Sequence, residues 1–153
     1  MIIWIASYPK SGNTWIRSFI TAYYFCENGI FDINKLSLIE DYPNKQFFRE
    51  KVKQGEIHKH WETSQKRIRD QKKVKFLKTH NSLITAFGND FTKPEYSLGV
   101  IYVIRDPRNV ITSVKNHNDL DSYDQALKFM QDENKVLEDY PHLKNYAKTN
   151  IVN

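Results

Sequence analysis

Three short segments of this chain carry cations, hydroxyls and a histidine in patterns that suit a bound anion and a proton to be removed. The first is Tyr8-Pro9-Lys10-Ser11-Gly12-Asn13-Thr14-Trp15. A turn that leads into a helix presents unpaired backbone N–H groups and the positive end of the helix dipole, which together make an anion site. Gly12 lets the backbone approach a ligand closely, Lys10 adds a full charge, and Ser11, Asn13 and Thr14 add donors. The spacing is not that of a Walker A loop, because the lysine precedes the glycine. By itself it also fits an ordinary polar turn between a strand and a helix.

The second segment is Arg105-Asp106-Pro107-Arg108-Asn109-Val110, continuing to Ser113. The planar fork of Arg105 suits a phosphate better than a lysine would. Ser113, about two turns into the helix that follows, can donate a hydroxyl to the same anion. The plainer alternative is a capping aspartate flanked by solvated arginines. The third segment is Lys78-Thr79-His80. Neighbouring positive charge holds a histidine neutral near pH 7, able to take a proton, so His80 is a candidate general base. Taken alone, a single histidine is more often structural. His58, His60, His117 and His142 show no zinc spacing and Cys26 has no partner cysteine, so no metal is expected.

The elements that must position these segments alternate in type. Ile2 to Ala6 is a short, isoleucine-rich run that suits a strand buried on both faces. Ile16, Phe19, Ile20 and Tyr23 then fall on one helical face, and Asn28-Gly29 supplies a stop. Asn44 to Lys73 is charged and helix-compatible, interrupted at Gly55; Val74 to Thr79 is a second strand; Leu98 to Ile104 is the clearest strand in the chain. Asp106 as N-cap and Pro107 at the first helical position start another helix. Tyr123, Ala126, Leu127, Met130 and Leu137 mark the face of a last one. Alternating strands and helices predict an α/β fold, a three-layer, mostly parallel sheet flanked by helices. In such sheets ligands bind outside the carboxyl ends of the strands, where all three segments lie. Trp4, Tyr23, Tyr24 and Phe25 are expected in or near the core.

Length and composition set the outer bounds. The chain has 153 residues, 40% hydrophobic and 27% charged, enough for a single domain with a real core. The opening apolar run is too short to cross a membrane and lacks a basic lead-in, so neither a membrane span nor a signal peptide is expected. The single cysteine fits a reducing compartment, and a cytoplasmic location is expected. The net charge of +5 is uneven: Lys45 to Lys78 holds 12 Lys/Arg against 4 Asp/Glu, and the rest of the chain is net acidic. Such a belt is either a solvated helical face or an attractor of anions.

Taken together, the three segments resemble a known family. SYPKSGNTWIRSFI is similar to the 5′-phosphosulfate loop of sulfotransferases that use 3′-phosphoadenosine 5′-phosphosulfate (PAPS). VIYVIRDPRNVITSVKNH is similar to their 3′-phosphate-binding strand and helix, with Arg105 and Ser113 at that motif's spacing. FLKTH, ending at His80, resembles the strand that carries their catalytic histidine.

The resemblance implies a P-loop nucleotide-hydrolase-like domain that moves a sulfuryl group from PAPS to a hydroxyl or amine of a small-molecule or glycan acceptor, without nucleic acid or metal. It implies that Lys10 stabilises the leaving phosphate, and that Ser11, Gly12, Asn13 and Thr14 cradle the 5′-phosphate. Trp15 would stack near the adenine, Arg105 and Ser113 would hold the 3′-phosphate, and His80 would act as general base with Lys78 as a supporting charge. Asn13 stands where many members carry threonine, and Asn81-Ser82 follows His80 where many carry an apolar residue and proline. A late Arg-Lys-Gly segment of the family has no counterpart in residues 1–153, so the expectation is one sulfotransferase-like domain lacking its carboxy-terminal part. Two other classes stay open on the residues alone. One is a magnesium-dependent P-loop-like phosphotransferase; the other is a non-catalytic nucleotide- or nucleic-acid-binding fragment that uses the basic belt.

Overall fold

The computed structural model describes residues 1–48 and 54–132, together with the backbone of 136–137 and 149–150. Its centre is β1 (Ile2–Ser7), whose alternating side chains enter two different cores. Ile2 and Trp4 pack with Tyr42, Trp61, Ile68 and Leu77 on one side. Ile5, with the partly buried Ile3, packs with Ile39, Phe76, Ile16 and Ile20 on the other. Covering both faces of a strand requires a layer on each side, which is the three-layer arrangement. The first layer is α1 (Asn13–Phe25) and the opposite one is α2 (Trp61–Asp70).

The sheet adds β2 (Glu40–Asp41), β3 (Lys75–Thr79) and β6 (Ser97–Val103) in the order β2-β3-β1-β6, with every pairing parallel. Between β3 and β6 the chain makes a small antiparallel hairpin, β4 (Thr85–Ala86) and β5 (Asn89–Asp90). Two helices follow, α3 (Pro107–His117) and α4 (Tyr123–Gln131), joined by Val110, Val114 and Ala126. Asp106 caps α3 by accepting from the Arg108 N–H at 2.9 Å, and Pro107 opens the helix.

Because the sheet is parallel, the strands' carboxyl ends share one edge. The register sets Ala6 beside Thr79 and Ser7 beside Val103. The turns after β1, β3 and β6 therefore emerge side by side. The chain builds β2 and β3 to one side of β1 and then crosses to place β6 on the other. That reversal opens a crevice between the ends of β1 and β6.

Several expectations change in detail. Only the second half of the 44–73 stretch forms an α-helix; Gln54–His60 is a 3₁₀ segment that leads into α2, and residues 49–53 lie outside the described residues. The last helix ends at Gln131, and Leu137 belongs instead to β7 (Val136–Leu137), antiparallel to β8 (Thr149–Asn150). Trp4 and Phe25 lie in or beside the core, but Phe19, Tyr23 and Tyr24 are exposed. At about 100° per residue, Trp15, Phe19 and Tyr23 fall into a ridge flanking the Ile16–Ile20 face that meets the sheet. β6, although largely apolar, is an edge strand, and among the described residues nothing pairs its outer side. Its Val100 and Tyr102 are 62% and 63% exposed.

Candidate active site at the carboxyl edge of the sheet

The turn after β1 is built on two left-handed residues. Lys10 has φ 67° and Gly12 has φ 106°. Glycine adopts such a conformation freely, whereas a lysine held there stores strain of the kind that clusters at ligand-binding turns. The turn closes when Ser11 N–H donates to the Tyr8 carbonyl, and α1 starts when Trp15 and Ile16 donate to Gly12 O. The N–H groups of Asn13 and Thr14 precede these first helical donors and so have no acceptor within α1.

Arg105, two residues beyond β6, donates from Nη1 to the Lys10 carbonyl at 3.3 Å. This contact brings the first and second sequence segments together. Among the described residues neither Lys10 nor Arg105 has a carboxylate partner within ion-pair distance. Arg108 is engaged elsewhere, bonded through Nη2 and Nε to its own cap, Asp106, at 2.6 and 3.1 Å. Ser113 sits half-buried on α3, and Trp15 is 72% exposed in the first turn of α1.

Thr14 is exposed and Ser11 is buried beside the crevice. The Asn13 side chain departs from the expected cradle. It is buried and turned inward, donating from Nδ2 to Ile5 O and to Ser7 Oγ, each at 3.1 Å. What Asn13 offers an anion is its backbone N–H, because the amide is longer than a threonine side chain and reaches the end of β1.

His80 follows β3 and lies across the end of β1. Its Nδ1 is 2.7 Å from Ser7 O and 3.3 Å from Ser7 Oγ. A carbonyl only accepts, so Nδ1 carries the proton and the lone pair is on Nε2. Burial is the main cause that pushes the His80 pKa down to about 4, and the Lys78 charge adds to it; the Ser7 carbonyl and Asp41 oppose the shift. The imidazole is thus neutral across the physiological range.

Lys78 is not a bare charge. Its Nζ is 3.0 Å from Asp41 Oδ1, which also lies 3.6 Å from Arg17 Nη1. Arg17 Nη2 donates to the carbonyls of Leu36 and Ile39 at 3.3 and 2.7 Å. Burial lowers the Arg17 pKa and the Asp41 charge counters that effect. Two cations share one carboxylate here, and their surplus positive charge helps keep His80 unprotonated. Elsewhere in the basic belt, Lys59, Arg69 and Lys75 are each paired with an acid.

A cleft of about 1140 Å³ runs from this edge along the open face of β6. Ser11, His80 and Arg105 stand at its polar end, and Leu83, Phe91, Val100 and Tyr102 contribute to an apolar wall. Among the described residues there is no group of three or more His, Cys, Asp or Glu side chains that could hold a metal, and no helix is long and apolar enough to cross a membrane.

Ser7, Arg17 and Asp41 are the site residues that sequence reasoning missed. Asp41 lies far from Lys78 along the chain, and only the β2–β3 register sets the two side by side. Ser7 acts through its main-chain carbonyl, which no residue-type pattern reports.

Comparison with known families gives one match. The family model described as "Sulfotransferase domain" matches residues 2–150. The chain belongs to the sulfotransferase family. No curated protein and no solved structure gives a match. The match takes in all three segments at the sheet edge, and the mostly parallel α/β architecture fits such a domain.

Proposed function

We propose that this sulfotransferase-family chain transfers a sulfuryl group from PAPS to the hydroxyl of an acceptor, with His80 as the general base. The observation that carries the reading is the fixed state of His80. It is neutral, its Nδ1–H is held by Ser7 O, and it stands at the same sheet edge as two cations that have no carboxylate partner among the described residues. Lys10, Arg105 and the N-terminus of α1 suit a ligand bearing more than one phosphate or sulfate group. A donor with a separate 3′-phosphate fits that spread of charge. PAPS, when bound, supplies the activated sulfuryl group.

The chain's own residues then have distinct tasks. Nε2 of His80 removes the proton from the acceptor hydroxyl as its oxygen bonds to sulfur. Lys10 meets the negative charge left on the phosphate oxygen when its bond to sulfur breaks. Arg105 and Ser113 hold the 3′-phosphate, and Ser11, Gly12, Asn13 and Thr14 surround the 5′-phosphate, Asn13 through its backbone N–H. Lys78, anchored on Asp41, adds fixed positive potential beside the transferring group, and Trp15 offers an exposed ring for the adenine. The apolar wall of the cleft favours a small-molecule acceptor with its hydroxyl on an apolar body over a glycan.

The test is transfer from ³⁵S-labelled PAPS to a panel of hydroxylated aromatic and aliphatic compounds set against sugars, with wild type and His80→Ala. General-base loss lowers the rate about 10²–10⁴-fold, while affinity for adenosine 3′,5′-bisphosphate stays close to that of wild type. Equal loss of binding and transfer would make His80 a structural residue.

A further inference from the structure

The catalytic base and the anion-binding turn are braced at one point. Asn13, the first residue of α1, reaches back with a single amide to both Ile5 O and Ser7 Oγ, each at 3.1 Å. Ser7 in turn holds His80, its carbonyl 2.7 Å and its hydroxyl 3.3 Å from Nδ1. The start of α1, the end of β1 and the imidazole after β3 form one hydrogen-bonded unit across three elements.

The amide is used one-sidedly. Asn13 is only 6% exposed, and its Oδ1 is buried without a hydrogen-bond partner among the described residues. Leaving a buried acceptor unmet costs free energy. Beginning the helix does not require this cost, since Gly12 rather than Asn13 holds the N-cap position. The donor end of the side chain, aimed at β1, is the part in use.

We infer that Asn13 is a positioning residue for the base, fixing Ser7 so that its carbonyl keeps His80 in the Nδ1–H tautomer with Nε2 aimed at the acceptor. The Asn13 side chain does not touch the nucleotide. The inference rests on the reading of His80 as the base. Its physical content is that the orientation of an imidazole is set by whatever its other nitrogen bonds to. That partner here is a main-chain carbonyl, which holds no better than the strand end that bears it. The charged groups acting on His80 are Lys78 on β3, Asp41 on β2 and Arg17 on α1, and an Asn13 variant changes none of them.

The experiment uses Asn13→Ala and Ser7→Ala in the full chain, with three readouts. These are calorimetric affinity for adenosine 3′,5′-bisphosphate, steady-state kcat and KM, and the ring ¹⁵N shifts of His80 followed by NMR with pH. Both variants are expected to lower kcat about 10–100-fold, as a small misplacement of a reacting group does. Nucleotide affinity and KM are expected to stay within about twofold, since the altered atoms lie behind the turn. The His80 shifts are expected to lose the pure Nδ1–H pattern, and its titration to move lower still, since the Ser7 carbonyl is one of the groups that raise it.

A nucleotide affinity reduced about tenfold in Asn13→Ala, with the His80 shifts unchanged, would place the side chain on the phosphate and overturn the inference. Unchanged kcat and unchanged shifts in both variants would overturn it as well. Should Asn13→Ala fail to fold, Ser7→Ala decides, because it keeps the Asn13–Ile5 bond. The ring shifts are read without turnover, so failure of the positioning role and failure of His80 as base are told apart.

Discussion

Replacing His80 by glutamine removes a half-buried imidazole at the sheet edge, and its consequence for stability can be worked out from the structure. The His80 pKa of about 4 in the fold lies below the ordinary histidine value of 6.5, because burial and Lys78 disfavour the charged ring. The folded state therefore binds the proton less readily than the unfolded state does. The contribution to stability is fully present above pH 6.5 and is lost progressively as pH falls through about 4. By linkage the loss is roughly 2 kcal/mol at pH 5 and roughly 3 kcal/mol at pH 4.

Urea denaturation of wild type and His80→Gln at intervals from pH 7.5 to pH 4 isolates this amount. Every other acid-sensitive group contributes equally to both proteins, so the difference between the two curves belongs to His80. Wild type should lose about 2–3 kcal/mol more than the variant over that range. Parallel curves would mean that the imidazole titrates in the fold as it does in the unfolded chain. That result would remove the burial argument on which its proposed role as a neutral base depends.

Two further outcomes follow from the same geometry. Asp41→Asn leaves Lys78 and Arg17 without their shared carboxylate, and a urea titration should show a loss of about 2–4 kcal/mol. The His80 pKa should also move down, since Asp41 is one of the groups that raise it; a rise seen by NMR would contradict the charge arrangement. Arg105→Ala removes an exposed cation, so stability should change by less than about 0.5 kcal/mol. Calorimetry should show adenosine 3′,5′-bisphosphate bound roughly 10–150-fold more weakly, with adenosine 5′-phosphate little affected; equal losses for both ligands would move Arg105 away from the 3′-phosphate.

Much of the local structure was legible along the chain because it depends on neighbours in sequence. The run from Ile2 reads as a doubly buried strand and is one, and Asp106-Pro107 reads as a helix start and caps α3. Lys10, His80 and Arg105 were marked by residue type at the ends of strands, and a parallel sheet then brings those ends to one edge. Periodicity did not decide which side of α1 is covered. Phe19 and Tyr23 share a helical face with Ile16 and Ile20, yet only the latter two meet the sheet. Nor did composition reveal that β6, although largely apolar, stands at the edge.

The sequence by itself determined which groups could bind an anion or take a proton, because charge and acidity belong to the side chain. The tertiary structure decided their state. Lys78 is anchored because β2 aligns Asp41 beside it, and Asn13 points inward because the end of β1 lies within its reach. His80 is neutral and oriented because a carbonyl from a strand distant in sequence accepts its Nδ1 proton in a buried setting. Tautomer, ion pairing and desolvation depend on which atoms meet across the fold, and only the three-dimensional arrangement supplies that.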